Sequence, residues 1–413
     1  KEGEEVYYYV ILEYPNNNEN QNRDIGGSFK GEVTVEINDI TPDISIIATY
    51  IEENGGYKEV SEIPREGYEL NEEKSSCNNN AKLGWDKENS RIYVEKLNKS
   101  GTECTLYYDE YVSAKDTILA NSKVNEGPPD FSQLATTDEG IYKAEDDWGE
   151  SYYFRGAVTN NWLKFAGYYW RIIRINGDES IRLIYNGTST QTTGSSTMIN
   201  SSQVFNSSSD RSEYVGYMYT SGQQHGNTTD SPIKDVLDSW YSSNLAGQAD
   251  KISKEAGFCG DREMRTGYSW SSESSSTIYY KAYERLYANK TPTLKCSNSA
   301  DLYTVSGSSK GNKALLNPVG LITADEVSMA GGAYAQNNKS YYLYNNQYYW
   351  TMTPIFFDNG IASVFCVGSD SWLIGGTVPI TGGVRPVINL LADVKLTGSG
   401  TSSDPYVVVG AES

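Results

Sequence analysis

Short runs of β-branched and aromatic residues, separated by clusters of turn residues, recur along this chain and favour a β-rich fold. Residues 33–37 alternate apolar and polar side chains, as in a strand with one buried face. Similar runs follow at 44–51, 91–97 and 104–108, with almost no helical periodicity between them. We therefore predict that residues 1–112 form a β-sandwich.

The rest of the chain is long enough for a second domain, because 413 residues exceed what one hydrophobic core usually covers. A short helical pattern lies at 113–121, and the run Glu126-Gly-Pro-Pro-Asp130 interrupts regular structure. We predict a linker at 113–136 and a second domain at 137–413.

The second domain is predicted to combine strands with two helices. Asn176-Gly177 lies between strand-like runs at 168–175 and 180–185 and predicts a hairpin with a type I′ turn. Ser231-Pro232 suits the N-cap and first position of a helix, and Thr323-Ala-Asp-Glu326 matches a capping box. These patterns predict an α+β fold class that is mostly β.

One run near the start of the chain lacks clean alternation, as expected for a strand that is covered on both faces. It has two interpretations: the first strand of its own domain, or a donor strand that completes the sheet of a neighbouring subunit. The residues of this predicted subunit interface are Val6, Tyr7, Tyr8, Tyr9, Val10, Ile11 and Leu12.

The acidic composition limits the partners that the chain can have. A net charge of −20 and a pI near 4.6 oppose binding to nucleic acid and to anionic lipid head groups. No run approaches the roughly 18 apolar residues of a membrane helix. Because the sequence begins at Lys1 without methionine, we expect an exported protein whose leader or anchor was removed or lies outside this sequence.

Five cysteines in an exported chain predict two disulfides and one remaining thiol. The simplest pairing stays within each domain and joins Cys77 to Cys104 and Cys259 to Cys296. In the run that contains Cys366, alternation places this residue on an apolar face, so a buried, inert thiol is expected. A reactive nucleophile at Cys366 is an alternative that the sequence does not support.

Residues for catalysis or metal binding are sparse. His225, the single histidine, lies in a loop-like sequence without a nucleophile elbow, and one histidine without C-x-x-C pairs opposes a zinc site. The acidic runs Asp138-Glu139 and Glu145-Asp-Asp147 are candidates for calcium, although a solvated acidic linker is the favoured explanation. A glycosidase carboxylate pair stays open, because sequence does not give the distance between two carboxylates. We expect no cofactor, with calcium as the exception.

Many blocks of the second domain match, in order, a domain of surface-exposed, pilin-like proteins of gut-type Firmicutes. The blocks include Lys164-Phe-Ala-Gly-Tyr-Tyr-Trp-Arg-Ile-Ile-Arg-Ile-Asn-Gly177, Tyr349-Trp-Thr-Met-Thr-Pro354 and Gly383-Val-Arg-Pro-Val-Ile-Asn-Leu390, and the resemblance covers residues 137–410. It implies a C-type-lectin-like fold of the formylglycine-generating-enzyme branch, and a location at the cell surface. The second-domain cysteines do not form the copper-binding motif of the active enzymes, so the resemblance implies fold and location rather than activity.

The sequence supports three hypotheses about function. The first is a structural subunit of an extracellular filament or pilus-like assembly, built from copies of the same chain through the donor strand. The second is a surface adhesin for glycans or host proteins, in which Trp270 and Trp372 either stack on sugar rings or belong to the core. The third is an enzyme of the formylglycine-generating type or a glycosidase. Our prediction is the first of these, a secreted, non-catalytic subunit of a cell-surface filament or pilus-like assembly, with the adhesin and then the enzyme as alternatives.

Overall fold

The computed structural model describes residues 44–411, apart from 54, 65–66, 87–90, 98 and 274. The chain forms two compact units, residues 1–109 and 110–413. The described part is mostly β with a smaller helical content, which confirms the predicted α+β-like class. The predicted donor strand, residues 6–12, lies outside the described residues.

The described residues of the smaller unit form one sheet and one separate hairpin. Its strands are β1 (Ile44–Glu53), β2 (Gly56–Val60), β3 (Tyr68–Leu70), β4 (Ser76–Cys77), β5 (Lys82–Asp86), β6 (Arg91–Glu95) and β7 (Thr102–Glu110). The sheet has the order β2-β1-β7-β3, with β4 also paired to β7, and β5 and β6 form the hairpin. The central strands β1 and β7 run parallel.

The hairpin packs on the sheet and closes a small core. Leu106 and Tyr108 of β7 are fully buried, and Trp85 and Ile92 of the hairpin pack against this cluster. The predicted disulfide between Cys77 and Cys104 is confirmed, because the two cysteines lie directly opposite each other in β4 and β7 and are bonded. The covalent bond thus ties a two-residue strand to the sheet.

The larger unit has four short helices: α1 (Ala114–Ala120), α2 (Pro232–Asn244), α3 (Lys281–Tyr283) and α4 (Ala324–Ala330). Its strands are β8 (Asp138–Glu145), β9 (Glu150–Gly156), β10 (Trp162–Phe165), β11 (Tyr168–Ile175), β12 (Ile181–Tyr185), β13 (Asn200–Val204), β14 (Met218–Tyr219), β15 (Thr229–Asp230), β16 (Phe258–Cys259), β17 (Ile278–Tyr279), β18 (Leu302–Tyr303), β19 (Tyr349–Asp358), β20 (Ile361–Val367), β21 (Leu373–Thr377), β22 (Thr381–Val384), β23 (Val387–Leu390), β24 (Leu396–Thr397) and β25 (Tyr406–Val408). The count of four refers to the α-helices among the described residues of this unit.

Two sheets organise the larger unit around one core. The first has the order β23-β12-β11-β10-β25-β24, with β9 paired to β11 and β8 paired to β9. The second has the order β13-β22-β19-β20-β21, with β17 paired to β19. Trp170 of β11 and Trp350 of β19 are fully buried in the same hydrophobic cluster. Residues 113–136, predicted as a linker, lie in this unit, and Ala114 and Ile118 of α1 belong to its core.

The hairpin predicted around Asn176-Gly177 is confirmed by the antiparallel pairing of β11 with β12. The predicted type I′ turn is wrong, since the left-handed residue of this loop is Glu179, with φ 66°. Glycine is required at position 177 for a different reason. A Cβ atom there would collide with the backbone nitrogen of Gly149 and with the carboxylate of Asp146.

The two predicted helices are present. Helix α2 begins at Pro232 and buries Ile233, Leu237 and Tyr241. Ser231 precedes it but makes no side-chain cap, because its hydroxyl donates instead to the carbonyl of Tyr217 at 2.8 Å. The predicted capping role of Ser231 is therefore wrong.

Helix α4 has the predicted capping box. The Thr323 hydroxyl accepts from the Glu326 backbone N–H at 3.1 Å, and the Glu326 carboxylate accepts from the Thr323 N–H at 2.9 Å. The helix ends at Gly331, whose φ of 122° is accessible to glycine.

The second predicted disulfide, between Cys259 and Cys296, is also confirmed. Cys366 is a free cysteine with a fully buried side chain in β20, and burial raises the pKa of its thiol to about 12. Its Sγ lies 3.4 Å from the carbonyl oxygen of Ile374 on β21.

Among the described residues, no helix is long and apolar enough to cross a membrane.

Removing the Cys259–Cys296 bond by the double change Cys259→Ser and Cys296→Ser is expected to destabilise the larger unit by about 4 kcal/mol, the chain-entropy value for a loop of this length. Urea unfolding followed by hydrogen exchange and mass spectrometry measures the stability of each unit. In the matched control, Cys77→Ser with Cys104→Ser, the loss of stability should appear in peptides of the smaller unit. An unchanged unfolding midpoint for residues 110–411 in the first variant would contradict a stabilising bond.

Candidate functional site

Five aromatic rings of the larger unit form a continuous cluster, named here the tyrosine row: Tyr268, Tyr279, Tyr283, Tyr287 and Tyr334. Tyr279, Tyr283 and Tyr287 are spaced four residues apart, and their rings stack at centroid distances of 4.5 and 5.2 Å. Tyr334 meets Tyr283 and Tyr287 edge-on at 5.8 and 5.1 Å. The row ends at Tyr287, whose side chain is 53 % exposed.

The backbone that carries Tyr287 is unusual. After α3 the chain continues as a π-helix over Glu284–Asn289, a rare conformation that is often found at functional sites. Leu286 is buried beneath this turn, and the Arg285 guanidinium binds Asp325 at 2.8 Å. These two anchors hold the turn on the core while the ring of Tyr287 remains at the surface.

A groove adjoins the exposed end of the row, named here the tyrosine groove. Its walls come from residues 131–134, the π-helical turn and residues 333–336, and it has about 600 Å³ of empty space, part of it open to solvent. Phe131, Tyr287 and Tyr334 supply aromatic surface, while Gln133 and Gln336 supply amides. Among the described residues that line it there is no carboxylate, and Lys290 is the one charged side chain.

The other end of the row is covered by a cation. The Arg265 guanidinium lies 5.7, 5.8 and 5.9 Å from the ring centroids of Tyr268, Tyr279 and Tyr283. Burial raises the pKa of Tyr283 to about 12. The hydroxyl of Tyr283 is therefore neutral at physiological pH and offers a hydrogen bond rather than a charge.

A second concave region, named here the charged cleft, lies between β11, β12, α4 and the Cys259–Cys296 disulfide and has about 450 Å³ of empty space including its mouth. Three arginines and several carboxylates line it. Glu326 lies between Arg174 and Arg182, with N–O distances of 3.1 and 2.5 Å, and all three side chains are at most 8 % exposed. Arg174 also binds Asp146 at 2.5 Å.

The second half of the charged cleft repeats this pattern. Arg285 binds Asp325 through two nitrogens and Asp261 through one, the latter at 2.5 Å. Asp261 has a backbone φ of 34°, and burial raises the pKa of its carboxyl group. Burial likewise raises the pKa of Asp147, whose carboxylate accepts from the Cys296 N–H at 3.1 Å. The three arginines of the cleft thus form ion pairs with carboxylates of the same chain.

His225 is part of a third buried ion cluster. Its Nδ1 lies 3.0 Å from the Asp301 carboxylate, and its Nε2 lies 3.8 Å from that of Glu263. Asp301 is fully buried and also accepts from the backbone N–H and the guanidinium of Arg262, at 2.6 and 2.8 Å. Both ring nitrogens thus face carboxylates, an arrangement that holds the loop of His225 in place.

The residues predicted for sugar stacking do not line either concave region. Trp270 is half-buried, and Trp372 is 38 % exposed. Trp372 precedes Leu373, whose backbone pairs with Tyr334, so it lies close in sequence to the wall of the tyrosine groove. The aromatic platform at the groove is provided by tyrosines instead.

Two of the predicted calcium candidates, Asp146 and Glu139, have partners within the chain. Asp146 accepts from Trp148 N, Gly149 N and Gly177 N at 2.8, 3.0 and 2.9 Å. Glu139 binds the buried Arg155 at 2.9 Å. Within the described ranges, no three His, Cys, Asp or Glu side chains come together as a metal site.

Sequence reasoning missed the tyrosine row, although its signal was present. The run Ile278-Tyr-Tyr-Lys-Ala-Tyr-Glu-Arg-Leu-Tyr287 carries tyrosines at a spacing of four, which indicates one helical face; Tyr283 and Tyr287 follow this pattern, whereas Tyr279 lies in β17. The π-helical turn and the position of Tyr334 had no such signal, because both depend on tertiary packing.

No family model, curated protein or solved structure matches this chain. The pilin-like relationship and the C-type-lectin-like fold implied by the sequence resemblance therefore stay predictions.

The substitution Glu326→Gln retains the capping-box geometry but removes the charge between Arg174 and Arg182. It is expected to destabilise the larger unit by about 3 to 5 kcal/mol, because it leaves the buried Arg182 without its carboxylate partner and leaves Arg174 with Asp146 alone. Burial opposes ionisation of Glu326, but Arg182 and Arg174 lower its pKa below the ordinary value. A lowered folded-state pKa stabilises the protein above the unfolded-state pKa, about 4.3, and this contribution disappears as the pH falls through the folded-state value.

Urea unfolding between pH 3 and pH 7 measures this effect, since the wild type should approach the variant in stability as the solution becomes acidic. The control is Glu179→Gln, which removes an exposed ion pair with Lys115 and should cost below about 1 kcal/mol. If the two variants lost the same free energy of unfolding at pH 7, the buried network would contribute no more than an exposed ion pair.

Proposed function

We propose that this protein is a secreted, non-catalytic surface adhesin that binds its ligand at the tyrosine groove. One observation carries the proposal: a stacked row of tyrosines ends in the half-exposed Tyr287 beside a groove whose described lining contains no carboxylate. Large aromatic side chains that remain exposed beside a concave surface are typical of binding sites.

The charged groups of the larger unit form ion pairs with one another, and this pairing supports a non-catalytic role. General acids and bases need a carboxylate or imidazole that reaches a substrate. In the charged cleft, Glu326, Asp325 and Asp261 are instead paired with arginines. His225 is paired with Asp301 in the same way.

The covalent structure supports a location outside the cell. Two disulfides, Cys77–Cys104 and Cys259–Cys296, are compatible with an oxidising environment. We further propose that residues 1–112 form a β-sandwich and that residues 137–413 adopt a C-type-lectin-like fold. Support for this comes from the hairpin packed on the sheet of the smaller unit and from the sequence resemblance of the larger one.

The substitution Tyr287→Ser tests the adhesin proposal. Beads coated with the full chain should adhere to surfaces coated with a densely glycosylated mucin-type glycoprotein, and the variant should lose about tenfold or more in apparent affinity, because a central aromatic contact typically contributes over about 1.4 kcal/mol. An exposed side chain of this kind contributes little to stability, so the variant should remain folded.

The matched control is Tyr93→Ser, since Tyr93 is 48 % exposed in the smaller unit and lies outside the groove. Adhesion by Tyr287→Ser at the wild-type level would show that the groove is not the binding site.

A subunit of an extracellular filament, built from copies of this chain, is the second candidate. The observation that favours it lies in the smaller unit. Strand β1 pairs with β2 only from Thr49 onward, so among the described residues none pairs with the other edge of residues 44–48. Ile44, Ile46 and Ile47 are 38, 40 and 59 % exposed there. An apolar strand edge of this kind accepts an added strand, the role proposed for residues 6–12 of another copy.

Deletion of residues 1–15 is expected to abolish fibres in negative-stain electron microscopy, because it removes the proposed donor strand. A finer comparison places one carboxylate inside the segment, Ile11→Asp, and one in the polar run after it, Asn17→Asp. Only the first should prevent assembly. Fibres formed by the deleted chain would exclude the donor-strand mechanism.

A further inference from the structure

We propose that the tyrosine groove is a saccharide site, in which a pyranose ring stacks on the outer face of Tyr287. This inference rests on the proposed adhesin function and names the ligand class of the same groove.

The ring of Tyr287 offers one free platform. One of its faces stacks on Tyr283 at 5.2 Å with an interplanar angle of 30°, and Tyr334 approaches at 5.1 Å with an angle of 64°. The exposed 53 % of the side chain is what these neighbours leave uncovered. A pyranose ring has an apolar C–H face and a polar edge, which match the apolar face and the hydrated hydroxyl of tyrosine.

The platform is held before any ligand arrives. Tyr283 and Tyr334 support the ring from two sides, and the π-helical turn is fixed to the core by Leu286 and by the Arg285–Asp325 ion pair. A side chain that is already ordered loses little conformational entropy on binding. This favours a ligand that supplies only a modest contact area.

The rim of the groove matches sugar hydroxyls. Gln133 and Gln336 carry amides that both donate and accept hydrogen bonds, as do sugar hydroxyls. Lys290, at the left-handed end of the π-helical turn, adds three donors. In a chain of net charge −20, the described lining of the groove contains no carboxylate, so it suits a neutral or acidic saccharide.

A proline-rich peptide is the main competitor, because such peptides also bind aromatic grooves. They bind across successive aromatic slots, however, and two of the three aromatic side chains in this lining are already engaged: Tyr334 contacts Tyr283 and Tyr287, and the Phe131 ring lies 5.0 Å from the Arg155 guanidinium. A single platform with a polar rim is the arrangement that suits one sugar ring.

The test uses the full chain with two probes. The first is a mucin-type glycoprotein, compared with the same glycoprotein after enzymatic removal of its glycans. The second is a panel of neutral and uronic-acid-containing oligosaccharides, with dissociation constants measured by calorimetry. Tyr287→Ser should weaken oligosaccharide binding about tenfold, Tyr287→Phe should retain most of it because the ring remains, and Tyr93→Ser should not change it.

Lys290→Gln separates the two saccharide classes. A greater loss for acidic than for neutral oligosaccharides assigns Lys290 to a sugar carboxylate, and an equal loss assigns it to hydroxyls; both results support a saccharide site.

Tyr287-dependent binding that is unchanged after deglycosylation would overturn the saccharide assignment in favour of a peptide, while the adhesin function would stand. Failure of Tyr287 to affect binding to either form of the glycoprotein would overturn both proposals.

Discussion

The carboxylate of Glu326 is the point on which the larger unit depends. It caps its own helix through Thr323 and simultaneously neutralises Arg174 of β11 and Arg182 of β12. A hairpin and a helix that are distant in sequence therefore meet at one buried charge. Since desolvating two guanidiniums is costly without a nearby anion, other positions of α4 relative to these strands are strongly disfavoured. The network specifies the arrangement of helix and sheet more than it adds net stability.

Local chemistry explains why some features could be predicted from sequence. The capping box at Thr323, the start of α2 at Pro232 and the hairpin at Asn176 each depend on residues within one turn, and the disulfides followed from pairing cysteines within each unit. The turn type at Asn176 failed because Gly177 is needed for the approach of Asp146, a contact between distant segments.

The candidate site was less accessible to prediction for the same reason. Tyr279, Tyr283 and Tyr287 have a visible spacing, but Tyr334 joins them from another segment, and the groove exists only where residues 131–134 meet the π-helical turn. The prediction of Trp270 and Trp372 rests on their position beside Ser/Gly-rich segments, and such neighbours do not indicate which rings border a cavity. Buried ion pairs fix the interior of this unit. The interior in turn determines where the aromatic side chains lie at the surface.

The burial of Cys366 has a consequence for how the chain keeps its covalent connectivity. Exchange between a thiol and a disulfide requires the thiolate, and a thiol with a pKa of about 12 inside β20 is almost entirely protonated at neutral pH. It therefore cannot attack Cys259–Cys296 unless the sheet opens. Correct pairing is protected kinetically for as long as the fold persists, and an unfolding event that exposes Cys366 would allow the bonds to be scrambled. The disulfides are thus protected from exchange with Cys366 only while the sheet remains folded.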